Sequence, residues 1–186
     1  MRKVVFSLMI ILFTSSFIIA QETPQTASQT EQKSEESEKL FFTKIGQKVP
    51  SFKFADAEGK THKIEDFKGK VVLLNFFATW CGPCMAEMPK IESDIWQTLN
   101  KEDFVVISIG REHTVAEVKE FNEKKGFTFI LGADPDREIF KKFGPSMIPR
   151  NYVLDKNGKI KYQEHGYSET EFYKLTALIK EFFKED

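Results

Sequence analysis

The sequence predicts an α/β fold in which a mixed central β-sheet is sandwiched by helices, with an N-terminal β-hairpin extension. Val71–Phe77 is an almost unbroken apolar run, typical of a strand buried on both faces of a helix-covered sheet. Strand-like and helix-like segments alternate after this run, which favours a parallel sheet core. Residues 155–158, Asp-Lys-Asn-Gly, then separate the strand-like segments 152–154 and 160–162, a strong signal for an added antiparallel hairpin.

The first 20 residues have the pattern of a signal peptide rather than of a folded segment. Arg2 and Lys3 give a positive start, residues 4–13 are apolar, and Ala20 supplies a small residue at the end. We expect cleavage after Ala20 and a periplasmic location. The apolar run is short for a membrane span. An uncleaved inner-membrane anchor is the alternative, and only in that case is the membrane a partner.

The next segment differs in composition from the rest of the chain. Residues 21–39 are rich in Gln, Glu, Thr and Ser and predict a disordered tether, because they cannot bury enough apolar surface to offset ordering. A single domain is expected over residues 40–186. The chain has 27 basic and 28 acidic residues, a net charge of −1, and this balance indicates no nucleic-acid partner.

The domain is predicted to begin with a small β-hairpin. Phe52 and Phe54 alternate with polar residues, Gly59 offers a turn, and residues 61–63 can return as the second strand. A short helical turn around residues 64–67 is expected to connect this hairpin to the central strand.

Further strands and a helix follow the central strand. Residues 104–109 and 127–131 are mainly apolar and predict two more strands. Between them, Thr114 and Glu117 form a capping box that predicts the start of a helix. Gly126 is expected to end that helix.

Two more helices are predicted in the C-terminal half. Asp134 and Pro135 predict the start of a short helix that ends at Gly144. Ser168 and Glu171 form a second capping box, which opens the last helix. Five apolar residues lie on one face of this helix: Phe172, Leu175, Leu178, Ile179 and Phe182.

The only two cysteines, Cys81 and Cys84, lie where the central strand ends and a helix begins. After them, apolar residues recur at the spacing of a helix: Met85, Met88, Ile91 and Ile95. A helix N-terminus carries unpaired N–H groups and about half a positive charge, which favours a thiolate over a thiol. A bridge between residues three apart closes a small loop and adds little stability. The pair therefore indicates a redox dithiol.

A metal site is disfavoured by the scattered histidines. Zinc usually has four ligands, and only His62, His113 and His165 could supplement the two cysteines. Each histidine is expected at the surface. We expect neither a metal nor a cofactor.

Residues 76–89, FFATWCGPCMAEMP, resemble the signature of the TlpA/ResA-like thiol–disulfide oxidoreductases of the redoxin (AhpC/TSA) superfamily. Within them, WCGPC at residues 80–84 also resembles the active site of thioredoxin. IGQKVP at residues 45–50 and IPRNYVLD at residues 148–155 fit the same pattern, so the resemblance covers roughly residues 40–186. It implies a thioredoxin fold.

The two cysteines are expected to act in sequence. Cys81, nearest the helix terminus, should attack the substrate and form the mixed disulfide. Cys84 should then attack Cys81 and release the reduced substrate. Gly82 and Pro83 should tune the redox couple, and because they match the dipeptide of thioredoxin, they favour a reductant.

Glu87 lies three residues after Cys84, on the same helical face. The resemblance implies that a partly buried glutamate here helps proton handling at the second cysteine, whereas the alternative is a solvent-facing helix glutamate. Asn75 stands where thioredoxins have a buried aspartate and cannot transfer a proton. Trp80 is expected to shape the contact surface beside the dithiol.

The resemblance also implies that a cis peptide bond joins Ile148 to Pro149 and that this loop faces the two sulfurs. There it should lend backbone groups to the substrate chain. Arg150 departs from the usual threonine of the family. It is expected either as a solvated surface arginine or as a source of positive potential beside Cys81.

The leading interpretation is an exported thiol–disulfide oxidoreductase that reduces disulfides of extracytoplasmic proteins. By resemblance, its substrates would include apocytochrome c, and its electrons would come from a membrane thiol-transfer protein. A disulfide-donating oxidant and a copper-handling protein of the same fold are the alternatives. A peroxiredoxin-type peroxidase is excluded, because Leu74 and Ala78 stand where its motif needs Pro and Thr or Ser.

Overall fold

The computed structural model describes residues 40–99 and 102–182. The predicted signal peptide and tether, residues 1–20 and 21–39, lie outside the described residues. Within the described ranges, no helix is both long enough and apolar enough to cross a membrane.

The described chain starts with the predicted hairpin. Strands β1 (Lys53–Ala55) and β2 (Thr61–Lys63) pair antiparallel, and the turn between them contains Gly59 in a left-handed conformation with φ +81°. A single 3-10 turn, Ile64–Phe67, follows as predicted. The hairpin precedes the main sheet in the chain, and its Phe54 belongs to one of the two apolar clusters that form the core.

In the part of the chain that the structure describes, the main sheet has five strands in the order β5-β4-β3-β6-β7. They are β3 (Val71–Phe77), β4 (Phe104–Arg111), β5 (Ile130–Asp134), β6 (Arg150–Leu154) and β7 (Ile160–His165). Strands β3, β4 and β5 run parallel, whereas β6 and β7 are antiparallel additions on the other side of β3. The predicted mixed sheet is thus confirmed, with β3 at its centre.

Within the described residues, three α-helices flank this sheet: α1 (Gly82–Lys90), α2 (Val115–Lys125) and α3 (Glu169–Phe182). Helix α1 continues as one π-helical segment, Ile91–Trp96. The capping box of α2 is present, and Gly126 ends that helix in a left-handed conformation with φ +72°. Such a conformation is accessible to glycine at little cost.

Side-chain alternation along β3 separates two apolar layers. Leu73 and Phe77 belong to a helix layer, defined as the core cluster to which α1, α2 and α3 all contribute. Leu74 and Phe76 belong to a hairpin layer, which contains the β1–β2 hairpin and the short 3-10 helices. The sheet therefore has α-helices on one face and 3-10 helices on the other.

Two predicted elements differ from the observed ones around Asp134. The third strand is β5, Ile130–Asp134, rather than residues 127–131, so Asp134 ends a strand and pairs with Arg111 of β4. The predicted helix is reduced to the 3-10 turn Phe140–Lys142. The Asp134 carboxylate does act as a cap, since it accepts the N–H groups of Ile139 and Phe140 at 3.0 and 2.8 Å.

Candidate active site

Cys81 occupies the N-cap position of α1. Its backbone is extended (φ −88°, ψ 104°), and its Sγ accepts the N–H of Cys84 at 3.2 Å. Pro83 fits the first turn because its missing N–H would be unpaired there in any case. An N-cap sulfur that receives a helix N–H is stabilised as an anion, so this geometry favours a Cys81 thiolate in the reduced protein.

Cys81 and Cys84 are joined by a disulfide, with their Cα atoms 5.3 Å apart. The two sulfurs differ in access: Cys81 is 7% exposed, whereas Cys84 is completely buried. A substrate disulfide can therefore reach Cys81 before Cys84.

The loop before β6 faces this disulfide. The Ile148–Pro149 peptide bond is cis, as the resemblance implied. The Ile148 carbonyl oxygen lies 3.7 Å from the Cys81 Sγ, which brings the loop and the dithiol together. The Pro149 carbonyl, in contrast, accepts the N–H of Gly166 at 2.8 Å and is used within the fold.

Glu87 lies behind the dithiol and is only 2% exposed, so the solvent-facing alternative is wrong. One of its oxygens accepts the Asn151 side-chain amide at 2.6 Å, and the other accepts the Asn75 amide at 3.1 Å. Asn75 also donates to Asn151 at 2.9 Å and accepts the Ser108 hydroxyl. The result is a buried polar network that connects α1 to β3, β4 and β6.

Burial raises the pKa of Glu87 from 4.5 to about 7, although the hydrogen bonds from Asn151 and Asn75 act in the opposite direction. Burial dominates because two neutral amides only partly replace the hydration of a carboxylate. A carboxyl group whose pKa lies near 7 can both accept and release a proton near neutral pH.

The surface around Cys81 is apolar. Trp80 is 62% exposed, and Met147, next to the cis peptide bond, is also exposed. We call Trp80, Cys81, Met147 and Ile148 the dithiol surface. The Arg111 guanidinium packs 5.1 Å from the Trp80 ring centroid, within the range of a cation–π contact. This arginine, at the end of β4, was not predicted from the sequence.

A model of the Redoxin family matches residues 44–179. The chain belongs to the Redoxin family. The thiol-disulfide oxidoreductase ResA of Geobacillus thermodenitrificans is similar to this redoxin, with 32% identity over 126 residues that make up 65% of this chain and 72% of ResA.

The solved structures that are similar to this redoxin include the following two. One is a Bacteroides thetaiotaomicron protein assigned provisionally as a protein disulfide isomerase, with a TM-score of 0.73, 38% identity and coverage of 78% of this chain and 93% of that one. The other is an exposed lipoprotein thioredoxin of Streptococcus pneumoniae, with a TM-score of 0.58, 26% identity and coverage of 68% and 97%. Together with the Cys81–Cys84 disulfide, these similarities show a thiol–disulfide oxidoreductase with a thioredoxin fold.

Arg150 of this redoxin corrects an expectation. It is completely buried, so it is not a solvated surface arginine and cannot contact a substrate in this state. It packs in the hairpin layer, 4.5 Å from the Phe41 ring centroid, and donates to the Ser146 carbonyl at 3.1 Å. The reason is strand alternation: Asn151 points to Glu87 in the helix layer, so Arg150 points to the opposite face.

His113 was expected at the surface, yet it is only 6% exposed. Its Nε2 accepts the backbone N–H of Thr79 at 2.9 Å, so the ring carries its proton on Nδ1. Thr79 lies in the segment that leads from β3 to Cys81. The contact was foreseeable in part, because β3 and β4 are parallel neighbours and the residues that follow them meet at one sheet edge.

Replacement of His113 should reveal how much its hydrogen bond to Thr79 stabilises the chain segment between β3 and Cys81. The H113L variant keeps bulk but leaves the Thr79 N–H unpaired, whereas H113Q can place an amide oxygen near the former Nε2 position. Because Thr79 is itself exposed, the expected loss is the net worth of one hydrogen bond, about 1 kcal/mol, so H113L should have a lower free energy of unfolding than H113Q by about that amount. Urea titration measures both values. Equal stability of the two variants would contradict this role.

The other two histidines do not join the dithiol. His62 contacts Asp56 at 2.6 Å near the hairpin, and His165 packs 5.6 Å from the ring centroid of Phe41. Within residues 40–99 and 102–182, no group of three or more His, Cys, Asp or Glu side chains has a geometry suited to a metal ion.

Proposed function

We propose that this protein is an exported thiol–disulfide oxidoreductase that reduces disulfides of extracytoplasmic proteins. One observation carries the proposal: a slightly exposed Cys81 at a helix N-terminus, joined to a completely buried Cys84, with a buried carboxyl group on the same helix. In this arrangement Cys81 serves as the attacking thiol, Cys84 as the resolving thiol and Glu87 as the proton acceptor.

Cys81 is the attacking thiol in this proposal. Its thiolate attacks one sulfur of the substrate disulfide, forms a Cys81–substrate disulfide and expels the other substrate sulfur as a thiolate, which takes a proton from solvent. The N–H of Cys84, 3.2 Å from the Cys81 Sγ, stabilises the thiolate before the attack. Gly82 and Pro83 hold this first helical turn and tune the potential of the couple.

Cys84 resolves the mixed disulfide, with Glu87 as proton acceptor. The Cys84 thiol gives its proton to the Glu87 carboxylate, attacks Cys81 and expels the second substrate sulfur as a thiolate. The substrate thus gains two electrons and the enzyme ends as the Cys81–Cys84 disulfide. A pKa of about 7 suits Glu87 to this step, and the amides of Asn75 and Asn151 hold its carboxyl group in place.

Substrate chains would dock on the dithiol surface. Trp80, next to Cys81 in the chain, and Met147, next to Ile148, both offer exposed apolar area, and exposed apolar area of this kind favours a protein partner. Ile148 presents its carbonyl to the sulfur, and Pro149 holds the loop in the conformation that allows this contact.

The location and the partners rest on the N-terminal sequence and on the comparisons. Residues 1–20 predict export to the periplasm, and the similar pneumococcal thioredoxin is named as an exposed lipoprotein. Apocytochrome c, whose haem-binding cysteines must be reduced, is the substrate that we propose. A membrane thiol-transfer protein would restore the Cys81–Cys84 dithiol by the same exchange in reverse.

The reduction potential of the Cys81–Cys84 couple tests the direction of this reaction. We expect a value near the thioredoxin end of the scale, about −270 mV, because the Gly-Pro dipeptide is shared with thioredoxin. Equilibration of the purified protein with glutathione or dithiothreitol mixtures gives the value. A potential near about −120 mV would instead make the protein a disulfide donor.

A further inference from the structure

A small cavity lies on the side of Glu87 that faces β7 and α3. Its volume, measured as the space open to the centre of a water-sized sphere, is about 10 Å³. A volume of this size is about enough to hold one water molecule. The polar residues that line it are Glu87, Asn151, Tyr162, Glu164, Tyr167, Ser168 and Glu171. The described residues that line it include neither cysteine, so the cavity reaches Glu87 without passing the sulfurs.

The Tyr162 hydroxyl lines this cavity and is buried, yet it has no hydrogen-bond partner within the described ranges. Buried polar groups are nearly always satisfied by protein or water, because an unmade hydrogen bond is costly. Glu87 has spare capacity on the same cavity, since each carboxyl oxygen can accept more than the single amide that it receives. A water molecule here would satisfy both groups.

The polar network on the sheet side of Glu87 cannot carry its proton away. Asn75 and Asn151 contact the carboxyl group through N–H donors, and neutral amides do not accept a proton near neutral pH. Ser108 lies behind Asn75 and donates to it. Glu87 can therefore exchange protons with solvent only past the sulfurs or through the cavity.

We propose that this cavity binds one water molecule between the Glu87 carboxyl and the Tyr162 hydroxyl, and that this water is the route by which Glu87 exchanges its proton with solvent. Protonated Glu87 gives its proton to the water, which passes a proton on to Glu164, Glu171 or bulk solvent and is thereby regenerated. The route remains open while a substrate joined to Cys81 covers the dithiol surface. Its use in turnover rests on the proposed function of Glu87.

The groups around the cavity assign Tyr162 a positioning role. Burial raises the pKa of the Tyr162 phenol, and the nearby carboxylates of Glu164, Glu171 and Glu87 raise it further. The pKa of Tyr167 is raised as well, chiefly by burial. Both phenols therefore stay protonated near neutral pH, and Tyr162 orients the water without ionising. On α1 itself, Cys84 is held in the disulfide and does not titrate.

The test follows the protonation of Glu87 in the disulfide form of the protein. A pH jump with infrared detection of the protonated carboxyl band gives the rate, and E87Q identifies the band that belongs to Glu87. Y162F removes the hydroxyl that holds the water, and one hydrogen bond is worth about 1 kcal/mol, which converts to a rate about fivefold lower. Y173F is the matched control, because Tyr173 is exposed on α3 and does not line the cavity. An unchanged rate in Y162F would overturn the proposal.

A measurement on the unaltered protein covers the case in which Y162F does not fold. Magnetisation transfer in nuclear magnetic resonance should show a long-lived water beside the Asn151 side-chain amide and the Gly166 amide, and its absence would overturn the proposal. Neither experiment uses a substrate. If E87Q reduces a disulfide substrate at the normal rate, the catalytic role of Glu87 fails while the route is still decided by Y162F.

Discussion

Replacement of Cys84 by serine should stop turnover and leave Cys81 joined to its substrate. Serine fits the completely buried position and keeps the N–H that stabilises the Cys81 sulfur, but a hydroxyl cannot form the second disulfide. The mixed disulfide would then persist, because the only nearby resolving thiol is gone. Non-reducing electrophoresis and mass spectrometry of C84S after exposure to a disulfide-bonded protein measure this product, which a reducing agent should release.

The matched control is C81S, in which the buried thiol remains and the accessible one is lost. We expect C81S to form no mixed disulfide and to reduce substrate more slowly by roughly 10⁴-fold or more, as for other lost nucleophiles. Capture of substrate by C81S rather than by C84S would reverse the proposed order of the two cysteines.

The second large effect concerns stability and pH. Burial raises the pKa of Glu87 in the folded protein to about 7, whereas 4.5 is its ordinary value. The folded state therefore holds this proton more tightly than the unfolded state does. The resulting stabilisation is fully present below pH 4.5 and is lost as the pH rises through about 7. The pKa difference corresponds to about 3 kcal/mol.

The E87Q variant should lack this pH dependence, because glutamine stays neutral. We compare the free energy of unfolding of E87Q with that of the unaltered protein at each pH. As the pH rises from below 4.5 to above about 7, this difference should shift by about 3 kcal/mol in favour of E87Q. Urea titrations across this range measure the difference, in the disulfide form so that no thiol titrates. E120Q removes a carboxylate from the exposed face of α2 and should show almost no such trend. A constant difference between E87Q and the unaltered protein would disprove the raised pKa.

Local patterns were enough to predict most of the elements. The apolar run Val71–Phe77 became the central strand, buried along its whole length. The capping box at Thr114 and the glycine at position 126 bounded α2 as expected. The position of the cysteines at the start of α1 also followed from the sequence, because helix caps and apolar periodicity depend on residues within a few positions of one another.

Pairing between distant segments decided the elements that were misplaced. Residues 127–131 are mainly apolar, but the observed strand is shifted to Ile130–Asp134 because its register is set by β4, where Asp134 pairs with Arg111. The apolar pattern cannot reveal such a partner. Asp134, predicted to open a helix, instead closes a strand and caps N–H groups five and six residues further on.

The cysteine pair, its position at a helix N-terminus and the family resemblance are properties of a short stretch of sequence, and they were sufficient to predict the chemistry of the dithiol. The surroundings of Glu87, Arg150 and His113 were not accessible in this way. Every residue of β6 is buried, so polarity along the strand does not show that Asn151 turns to Glu87 while Arg150 turns to Phe41. Whether a polar side chain is exposed or buried depends on the segments that pack over it, and those segments can be distant in the sequence. His113 contacts Thr79, 34 residues away, and Asn75 contacts Asn151, 76 residues away.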